Sequence, residues 1–390
     1  MSKIEQLIQQ LCPQGVEYKR LGEVLSYEQP SKYIVKSTDY EENGTPVLTA
    51  GQTFILGYTS EREGIYSASE NNPVIIFDDF TTSFHWVTFD FKVKSSAMKM
   101  LKPISSDVSF RYLYYAMKCI RYETSEHARQ WIAKYSQIEI PLPPLPVQQE
   151  IVRILDAFTE LEAQLEAELE ARKKQYAYYR DTLLSFEHDD PKVEWKRLGE
   201  VGTFTRGNGL QKKDFTETGV GCVHYGQIYT RYGTATDKTI SYCSPELAKR
   251  LKKARKGDLI IATTSENVED VCKAVVWLGD EEIVTGGHAC VYSHNQDPKY
   301  IAYFFQTENF FRQKKKYASG VKVIDIKGSD LEKVLIPLPP LEEQRRITSI
   351  LDKFEALTSD LQSGLPAEIE ARRKQYEYYR DQLLSFKVKN

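Results

Sequence analysis

The sequence predicts a mixed α and β fold, α/β in broad class and α+β in detail. We expect two globular domains separated by two long antiparallel coiled-coil helices, with an internal pseudo-two-fold repeat. Three observations lead to this expectation. A chain of 390 residues exceeds one ordinary domain, long segments occur twice, and each copy ends in a long amphipathic stretch. With 41% hydrophobic residues, 25 Tyr and 17 Phe, two cores can be filled.

Three pairs of segments recur in the same order along the chain. The pairs are residues 16–24 (VEYKRLGEV) and 193–201 (VEWKRLGEV), 140–158 (IPLPPLPVQQEIVRILDAF) and 336–354 (IPLPPLEEQRRITSILDKF), and 170–186 (EARKKQYAYYRDTLLSF) and 370–386 (EARRKQYEYYRDQLLSF). The last pair is identical at 14 of 17 positions. Three collinear matches indicate a duplication, in which a start segment, a variable block, a proline-rich hinge and a long helix occur twice.

Each proline-rich hinge is followed by a helix-forming stretch. Proline fixes φ and lacks an amide hydrogen, so PLPPL ends any preceding helix. After the first hinge, apolar residues recur every three or four positions from Ile151 onward, which predicts a coiled-coil helix of about 40 residues, about 60 Å long. The second copy has the same stripe, with four extra residues around Gly364 and Pro366 that we expect to kink or loosen it. We expect the two helices to pack on each other antiparallel.

An apolar stripe also precedes the first start segment. Ile4, Leu7, Ile8 and Leu11 are spaced as on one face of a helix, which the following proline and glycine terminate. This short helix takes the place, before the first block, that the end of a long helix takes before the second. Because the chain also finishes on such a helix, we expect the two halves to close into a ring-like arrangement with approximate two-fold symmetry.

The repeats set the predicted domain limits and the blocks between them. We expect a first globular domain at residues 1–140, a first helical spacer at 141–186, a second globular domain at 187–336 and a second helical spacer at 337–390. The two blocks share little similarity with each other. Nearly identical frames around divergent blocks indicate one scaffold that presents two different binding surfaces.

Both variable blocks contain short apolar runs bounded by polar loops, which predicts strands. In the first block the predicted strands are residues 73–77 and 87–91, joined by a polar and aromatic loop at 78–86. In the second block they are residues 259–262 and 289–292. A mixture of strands and helices is therefore predicted for each block.

Composition narrows the function. With 52 basic and 55 acidic residues, the net charge is −3, so any nucleic-acid surface must be local. The six cysteines form no CxxC pair, which argues against a zinc site or a disulfide scaffold, and we expect free thiols. No apolar run approaches the ~18 residues of a membrane span, and the polar N-terminal stretch is not a signal peptide. We expect a cytoplasmic protein.

The sequence lacks the motifs of DNA-modifying chemistry. We find no Asn-Pro-Pro-aromatic motif of amino-methyltransferases and no GxxxxGK[ST] nucleotide loop. The ExK pattern of nucleases occurs at Glu17 to Lys19 and Glu194 to Lys196, but both copies lie in the repeated frame without a partner Asp. The six histidines are scattered without metal-ligand spacing. We therefore expect no catalytic residues, no metal site and no bound cofactor.

The loops of both blocks carry side chains suited to nucleic-acid contact, although the same residue types occupy any solvated loop. Thr, Ser, Gln and Asn can bind base edges, and Lys and Arg bind phosphates. The dense basic runs at residues 249–256 and 314–316 are either phosphate contacts or solvated surface. Our candidate DNA-binding residues are Lys32, Lys36, Gln52, Thr81, Thr82 and Ser83 in the first block, and Arg206, Lys212, Lys213, Tyr225, Gln227, Arg231, Thr263, Ser265 and Lys315 in the second.

The hinge and helix pattern resembles a known family over essentially the whole chain. Each block ends in IPLPPL, and after two further residues comes Gln148 in the first copy and Gln344 in the second, ahead of the long helix. The stretch PLPPLEEQRRI at residues 337–347 is especially typical. This pattern resembles the DNA specificity subunits of type I restriction-modification systems.

The resemblance implies a function and a set of partners. Each block would be a target-recognition domain for one half of a bipartite, asymmetric site in double-stranded DNA. The helices would bind two modification subunits, which hold S-adenosylmethionine and methylate adenine, and restriction subunits that use ATP and Mg²⁺ would join them. A non-enzymatic coiled-coil adaptor is the alternative, but it leaves two unlike blocks unexplained. A single-chain restriction-methylation enzyme would need several hundred more residues and the missing motifs.

Overall fold

A computed structural model describes residues 2–51, 53–123, 128–359 and 364–389. The chain divides into two compact units. Unit 1 combines Met1–Gln164 with Glu370–Asn390, and unit 2 is Leu165–Ile369. Each unit therefore holds one variable block together with parts of the spacer helices. The domain limits expected from sequence separate the blocks from the spacers instead, and they stay a prediction.

Unit 1 contains one variable block and its frame. In chain order its elements are α1 (Lys3–Leu11), β1 (Glu17–Arg20), α2 (Leu21–Val24), β2 (Leu25–Glu28), β3 (Thr45–Leu48), β4 (Ile55–Thr59), β5 (Val74–Asp78), β6 (Phe84–Val87), β7 (Lys92–Val93), β8 (Met98–Pro103), α3 (Phe110–Lys118), β9 (Glu139–Leu142) and the first part of α4 (Leu145–Leu183), with 3₁₀ turns at Pro30–Lys32 and Tyr135–Gln137. The predicted N-terminal helix is confirmed as α1, in which Ile4 is buried.

Three sheets organise unit 1. Their strand orders are β2-β8-β5-β6, β4-β3-β7 and β1-β9. Strand β5 is central and apolar on both faces, with its first four residues fully buried. The pair β1–β9 places Tyr18 opposite Pro141, so the start segment and the hinge of the first copy are neighbours in space. Proline is tolerated there because a two-stranded ladder leaves one edge unpaired.

Unit 2 repeats this plan with a larger block. Its further elements are β10 (Glu194–Arg197), α5 (Leu198–Val201), β11 (Gly202–Arg206), β12 (Val220–Val223), α6 (Tyr225–Thr230), β13 (Ala235–Thr236), β14 (Ser241–Cys243), α7 (Pro245–Ala248), β15 (Lys252–Ala254), β16 (Leu259–Ala262), β17 (Thr264–Ser265), β18 (Ala274–Trp277), β19 (Ile283–Thr285), β20 (Ala289–His294), α8 (Pro298–Phe304), α9 (Glu308–Lys314), β21 (Ile324–Asp325), α10 (Gly328–Leu331), β22 (Leu335–Leu338), α11 (Leu341–Ser359) and the start of α12 (Leu365–Leu383), with 3₁₀ turns at Lys212–Asp214 and Lys315–Tyr317.

The sheets of unit 2 follow those of unit 1. Their orders are β11-β20-β16-β18-β13, β14-β12-β19-β15, β17-β21 and β10-β22. In the last pair Trp195 lies opposite Pro337, as Tyr18 lies opposite its proline in unit 1. The ExK residues fall on these frame strands in both copies, and Lys196 pairs with Glu194 of its own strand. The ExK pattern thus has a structural explanation, because its residues lie on the frame strands β1 and β10.

The long helices confirm the antiparallel expectation. Helix α4 has 39 residues. In unit 1 Phe158 of α4 stacks on Tyr379 of α12, with ring centroids 5.5 Å apart, and Glu162 of α4 pairs with Arg373 of α12. The numbering rises along one helix as it falls along the other. In the second spacer the structure describes α11 up to Ser359 and α12 from Leu365. The kink expected around Gly364 and Pro366 falls partly on residues 360–363, which lie outside the described ranges, and it stays a prediction.

Two predicted strands of the second block are confirmed as β16 and β20. In the first block, the run at 73–77 corresponds to β5, but the prediction of a strand at 87–91 is wrong. The strand is β6, Phe84–Val87, and it pairs with β5 through a turn that is shorter than expected. The aromatic residues Phe84 and Trp86 belong to the strand and not to the loop. They pack against the hydrophobic core that contains Ile75 and Phe77 of β5.

The repeat extends further into the blocks than the matched segments indicate. Helices α3 and α8 occupy equivalent positions ahead of the two hinges. The Tyr112 hydroxyl of α3 donates to the Pro141 carbonyl at 2.9 Å, and the Tyr300 hydroxyl of α8 donates to the Pro337 carbonyl at 2.7 Å. Both acceptors belong to the hinges of the frame, so α3 and α8 are equivalent elements that connect each block to its hinge, and the sequence comparison did not reveal them.

The glutamine after each hinge explains part of the motif. The Gln148 side-chain oxygen accepts a hydrogen bond from the Ser109 amide at 2.9 Å, and its NH₂ group donates to the Pro143 carbonyl at 2.7 Å. Gln344 makes the same two bonds, to the Asp297 amide and the Pro339 carbonyl. Glutamine is suited to this position because one side chain supplies both an acceptor and a donor. The motif therefore ties each hinge to the helix before it.

Candidate nucleic-acid interface

Four segments of unit 2 meet around a polar and aromatic cavity of about 500 Å³. They are helix α6, the segment 264–270 that includes β17, the end of the turn before β20, and the loop before β21. The cavity is lined by Tyr225, Gly226, Tyr229, Thr230, Thr264, Ser265, Glu266, Asn267, Asp270, His288 and Val323. Two of the predicted DNA-binding residues, Tyr225 and Ser265, are thus brought together. Aromatic faces beside hydroxyl, amide and carboxylate groups can contact bases and their edges.

Helix α6 is fixed at its first turn by a buried histidine. The His224 ring nitrogen Nδ1 accepts a hydrogen bond from the Gly226 amide at 3.3 Å. Burial lowers the pKa of His224, which favours the neutral ring that can accept this bond. Gln227 completes the cap, because its side-chain oxygen accepts from the His224 amide at 3.0 Å and its NH₂ group donates to the Ser241 hydroxyl at 2.7 Å. Both polar groups of the Gln227 side chain are therefore already hydrogen-bonded within the protein, so the predicted contact with a base would have to replace one of these bonds.

Thr263 also supports the cavity from the protein side. Its side chain is buried, at 6% exposure, and its amide donates to the His288 carbonyl at 2.9 Å while its carbonyl accepts from the Ile326 amide. Tyr229 braces the next residue by donating to the Thr264 carbonyl at 2.8 Å. Among the predicted residues, Thr263 and Gln227 shape the site, whereas Tyr225 and Ser265 line it.

The predicted cation Arg206 lies beside the turn that carries His288. Its Nε donates to the Gly287 carbonyl at 3.2 Å, and the side chain is otherwise exposed. Two glycines allow this contact, because a Cβ on Gly207 would lie 2.2 Å from the Gly286 oxygen. Backbone segments can approach this closely only where side chains are absent. The arrangement holds one guanidinium next to the cavity.

The remaining predicted cations of unit 2 are exposed at several places. Lys212 and Lys213 lie on a 3₁₀ turn, and Arg231 and Lys315 are also solvent-exposed. The amide side chain of Asn208 anchors this loop, accepting from the Lys252 amide and donating to the Arg250 carbonyl, both at 3.0 Å. Exposed amines on an anchored loop are available to phosphates.

The dense basic runs differ from a uniform solvated surface. Lys253 and Arg255 both pair with Glu282, at 2.6 and 2.8 Å, and Lys256 pairs with Asp280. Lys314 is only 4% exposed, its amine donates to the carbonyls of Glu269 and Val271, and burial lowers its pKa. A phosphate contact by Lys314 is therefore ruled out by its position, and the paired lysines are weaker candidates than Arg206, Lys212 and Lys213.

In unit 1 the predicted loop at residues 81–83 is a tight turn after β5. The Asp78 carboxylate accepts from the amides of Phe80 and Thr81 at 2.8 and 2.9 Å. Thr81 is exposed and its hydroxyl is hydrogen-bonded to that of Ser83. Thr82 is 8% exposed with φ of 60°, a left-handed conformation that is unusual for a β-branched residue. Thr82 is thus a structural turn residue, whereas Thr81 and Ser83 remain available.

A buried ion pair lies beneath this turn. Lys99 and Asp79 are both 1% exposed at the side chain, with Nζ 3.2 Å from Oδ2. The other carboxylate oxygen of Asp79 accepts from the Trp131 amide at 2.8 Å. Arg129 also reaches Asp79, with a guanidinium nitrogen 3.5 Å from Oδ2. Removal of Asp79 would therefore leave Lys99 buried without its ion-pair partner, which is strongly destabilising. Asp79 therefore fixes the turn to the segment around Trp131.

The other predicted residues of unit 1 have different surroundings. His85 of β6 reaches the segment after β3, with Nε2 3.2 Å from the Gly51 oxygen, and stacks on Phe54. Gln52 lies outside the residues that the structure describes. Lys32 and Lys36 are exposed but lie 3.9 Å from the carboxylates of Glu28 and Glu63. The described part of unit 1 thus brings the turn at 81–83 close to β6, and leaves the two lysines beside acidic residues.

Sequence reasoning missed several residues of these surfaces. His288, Asn267 and Val323 line the cavity of unit 2. The loops at 263–267 and 285–288 adjoin predicted strands, but neither Asn267 nor His288 was among the candidates chosen from them. In unit 1, Arg129 lies over the Phe80 ring and Lys118 over the Phe84 ring, at 5.8 and 5.2 Å. Neither cation belongs to a dense run, and the pairing of cation and ring is visible only in three dimensions.

A second surface lies on the repeated part of the helices. Tyr178 on α4 and Tyr378 on α12 are 66% and 62% exposed. They occupy the same position of the repeated segment, and exposed Lys174 and Lys374 recur four residues before them. The two tyrosines are identical in the repeat although most of each side chain is in solvent, so packing within a unit does not explain why both copies have tyrosine. These positions form two equivalent patches of tyrosine and lysine.

Comparison with known proteins gives consistent matches over the whole chain. The family model for the "type I restriction modification DNA specificity domain" matches residues 13–171 and again 192–371. A type I restriction enzyme specificity subunit from Escherichia coli is 43% identical over 401 residues, covering 99% of this chain and 98% of the relative. A putative type I restriction enzyme specificity subunit from Haemophilus influenzae is 31% identical over 399 residues, covering 95% and 96%.

Solved structures share the fold. A chain from work on complex assembly and conformational transition of a type I restriction-modification system aligns with a TM-score of 0.58 at 20% identity, covering 95% of this chain and 97% of that one. The S subunit of M. genitalium aligns with a TM-score of 0.54 at 13% identity, covering 95% and 96%. At these identities the likeness concerns the fold alone. In the described part of this chain, no helix has the length and apolar character needed to cross a bilayer.

Proposed function

Because the chain belongs to the family of type I restriction-modification DNA specificity subunits, we propose that its two units read the two halves of a bipartite, asymmetric site in double-stranded DNA. The chain is the non-catalytic recognition subunit of its enzyme. The observation that carries the proposal is that one repeated frame holds two unlike loop sets. The coiled-coil adaptor alternative is not favoured, since the family model matches both variable blocks.

The surface proposed for unit 2 combines base and phosphate contacts. Tyr225, Ser265 and His288 around the cavity would contact bases, and Arg206 with Lys212 and Lys213 would contact phosphates. In unit 1 the corresponding surface is the turn with Thr81 and Ser83, with Arg129 beside it. Gln227, Thr263 and Thr82 act from behind by holding these segments, so their replacement would alter recognition through folding and not through a lost contact.

The repeated patches on the helices are proposed as the docking sites of two modification subunits. Equal exposed residues at two places fit two copies of one partner, and exposed tyrosines are common anchors of protein interfaces. Restriction subunits would join this assembly. S-adenosylmethionine, ATP and Mg²⁺ would be held by these partners, and the described residues contain no cluster of three or more His, Cys, Asp or Glu suited to a metal. The complex would act in the cytoplasm, where its DNA lies.

Reconstitution tests this division of labour. The chain is expressed alone and together with the modification subunit from its own operon, and genomic DNA from each host is mapped for methylated adenine. We expect a bipartite motif that is methylated only when both subunits are present, with two modification subunits per chain by native mass spectrometry. Methyl transfer by the isolated chain, or methylation without a defined motif, would contradict the proposal.

The patches can be tested separately from DNA binding. We expect Tyr178→Ala and Tyr378→Ala each to weaken the binding of one modification subunit, so that the single variants carry one copy and the double variant none at dilute concentration. Glu377→Ala is the control, because position 377 is exposed on the same helix but corresponds to Ala177 in the first copy. Unchanged stoichiometry in the double variant would remove the patches from the interface.

The phosphate contacts predict a salt effect with a matched control. Replacing Arg206, Lys212 and Lys213 with Ala should reduce the slope of log K against log salt by about 2.7, since each lost phosphate contact removes about 0.9. Replacing Lys253, Arg255 and Lys256, which are paired with Glu282 and Asp280, should change the slope much less. Equal slopes for the first variant and the wild type would show that its loop faces away from DNA.

A further inference from the structure

The loop before β21 in unit 2 carries two solvent-exposed valines. Val321 exposes 96% of its surface and Val323 57%, and Lys322 stands between them. Single exposed apolar residues are ordinary on protein surfaces. Two valines at the tip of one short loop, beside a surface proposed to bind DNA, are better explained by a contact that buries them.

The backbone holds this tip in a defined conformation. Ser319 and Asp325 exchange two backbone hydrogen bonds, at 3.1 and 2.8 Å, and close the loop at its base. Gly320 has φ of +111°, and a Cβ there would lie 2.0 Å from the Val323 oxygen, so the turn requires glycine. Ile324, which follows Val323 in the chain, is buried and is the first residue of β21. A tip that is already ordered loses little conformational freedom on binding.

The loop that carries the tip is basic, and the cavity beside it is mixed in charge. Val323 lines that cavity together with Tyr225, Ser265 and His288 and with the carboxylates of Glu266 and Asp270. Strand β21 pairs with β17, which fixes the loop beside that cavity. Four exposed lysines lie on the loop or close to it in the chain, at positions 315, 316, 322 and 327. An apolar tip with Lys322 next to it in the chain matches the physical requirements of a side chain that enters a base stack while a neighbouring amine binds a phosphate.

We propose that Val321 inserts between two base pairs of the half-site read by unit 2 and unstacks that step. This inference rests on the proposed function and adds a specificity determinant to it. Unstacking costs a few kcal/mol per step, least at pyrimidine–purine steps. The half-site of unit 2 therefore contains a TA or CA/TG step at the insertion point, and that step is selected by its deformability without a hydrogen bond to either base.

The test uses the complex of the full chain with its modification subunits and duplexes that carry the mapped motif. 2-Aminopurine, whose fluorescence rises on unstacking, replaces each purine of the second half-site in turn. The methylated adenine is left out, because methyltransferases extrude their target base. Three variants are compared with the wild type: Val321→Ser removes the apolar tip, Val321→Leu keeps it, and Lys322→Ala removes only a charge.

We expect the wild type and Val321→Leu to raise the fluorescence at one step, and Val321→Ser to lose that signal. Val321→Ser should weaken binding to the specific site about tenfold, with non-specific affinity and salt slope unchanged. Lys322→Ala should keep the fluorescence change and reduce the salt slope by about 0.9. This opposite pattern separates insertion from a general electrostatic contact.

The inference is overturned if the wild type raises no fluorescence at any probed step, or if Val321→Ser keeps the signal. It is also overturned if Val321→Ser impairs assembly with the modification subunits in the absence of DNA, since the tip would then contact protein. Motif-specific methylation by the wild type is measured on the same preparations. Its presence preserves the proposed function whatever the fluorescence shows, so the two failures are distinguishable.

Discussion

The two units join the end of a long helix to a start segment in different ways. In unit 2, α4 ends at Leu183 and the chain continues through nine residues to Val193 and strand β10. In unit 1 the equivalent junction has no peptide link, because the helix end is contributed by α12 at the other terminus of the chain. The Val16 amide donates to the Lys387 carbonyl at 2.8 Å, and the Lys389 amide donates to the Val16 carbonyl at 2.9 Å.

Side chains complete both junctions in the same place. Leu184 is 1% exposed in unit 2, and Leu384 is 7% exposed in unit 1. In unit 1 the Tyr18 hydroxyl also donates to the Phe386 carbonyl at 2.8 Å. Trp195 occupies the position of this tyrosine in unit 2 and packs on His188, with ring centroids 4.0 Å apart. The same packing is thus present with and without a peptide link between the helix end and the start segment. A covalent connection makes the junction easier to form, but side-chain packing and hydrogen bonds hold it together.

The largest effect is expected from breaking the unlinked junction. Gly15 has φ of +95°, and a Cβ there would lie 2.5 Å from the Lys387 oxygen. Gly15→Val should therefore destabilise the junction of unit 1 by about 3 kcal/mol, through backbone strain and the loss of the tail. Hydrogen exchange should rise in α1, β1 and residues 384–389 and stay unchanged in unit 2. Lys192→Val, at the equivalent position of unit 2, is the control and should have little effect.

An acid titration should distinguish the units next. Burial lowers the pKa of His294 to about 4, below its ordinary value of about 6.5, so the unfolded chain binds the proton more tightly. Above pH 6.5 the ionisation of His294 does not affect the free energy of unfolding. As the pH falls from 6.5 towards 4 that free energy decreases, by about 2 kcal/mol at pH 5. The equivalent strand position in unit 1 is Pro103, which does not titrate.

Hydrogen exchange of β16 and β20, corrected for the intrinsic effect of pH, measures this loss against β5 and β8. His294→Asn should reduce the acid sensitivity of β16 and β20, because asparagine keeps an acceptor for the Gln296 amide, which His294 now binds at 3.1 Å, and does not ionise. Burial also lowers the pKa of His224 in unit 2 and of His85 in unit 1, so the same strands are compared between the variant and the wild type. An unchanged acid sensitivity of β16 and β20 in His294→Asn would show that His294 is not the cause.

The smallest effect tests whether the frame is equivalent in the two units. Tyr112→Phe and Tyr300→Phe each leave a hinge carbonyl without its donor, since the hydroxyls bind Pro141 and Pro337. An unsatisfied buried acceptor costs about 1–2 kcal/mol. We expect equal losses in the local free energy of opening of β9 and β22. Clearly unequal losses in the two variants would mean that the tyrosine–proline hydrogen bond stabilises the two units to different extents.

Sequence predicted the elements whose pattern is local. The apolar run of β16 and the stripe of α4 were readable, because burial on both faces of a strand leaves a continuous apolar run and burial of one helical face leaves a periodic pattern. The strand β6 was misplaced because the run FHWVTFDF alternates on both sides of Val87, and only pairing with β5 decides which part is the strand. Helices α3 and α8 share little more than two tyrosines three residues apart, so their equivalence became visible through bonds to the hinge.

The candidate interface was predictable only in part. Exposed cations such as Arg206 and Lys212 could be chosen from composition, because charged residues remain on the surface. The left-handed backbone of Thr82 could not be predicted, because nothing in a threonine indicates that conformation. His288 and Val323 come from segments far apart in the chain, and their proximity to Tyr225 depends on the pairing of β17 with β21. Long-range pairing of that kind leaves no mark on a short stretch of sequence.

The bonds of Gln148 and Gln344 have a consequence for how genes of this type can change. Each recognition block meets the frame through the same tyrosine, the same helix amide and the same proline carbonyls. A genetic crossover within the stretch that encodes IPLPPL would join a block to a foreign hinge and still leave a partner for every one of these bonds. The hinge can therefore accept either block without a compensating mutation at these bonds.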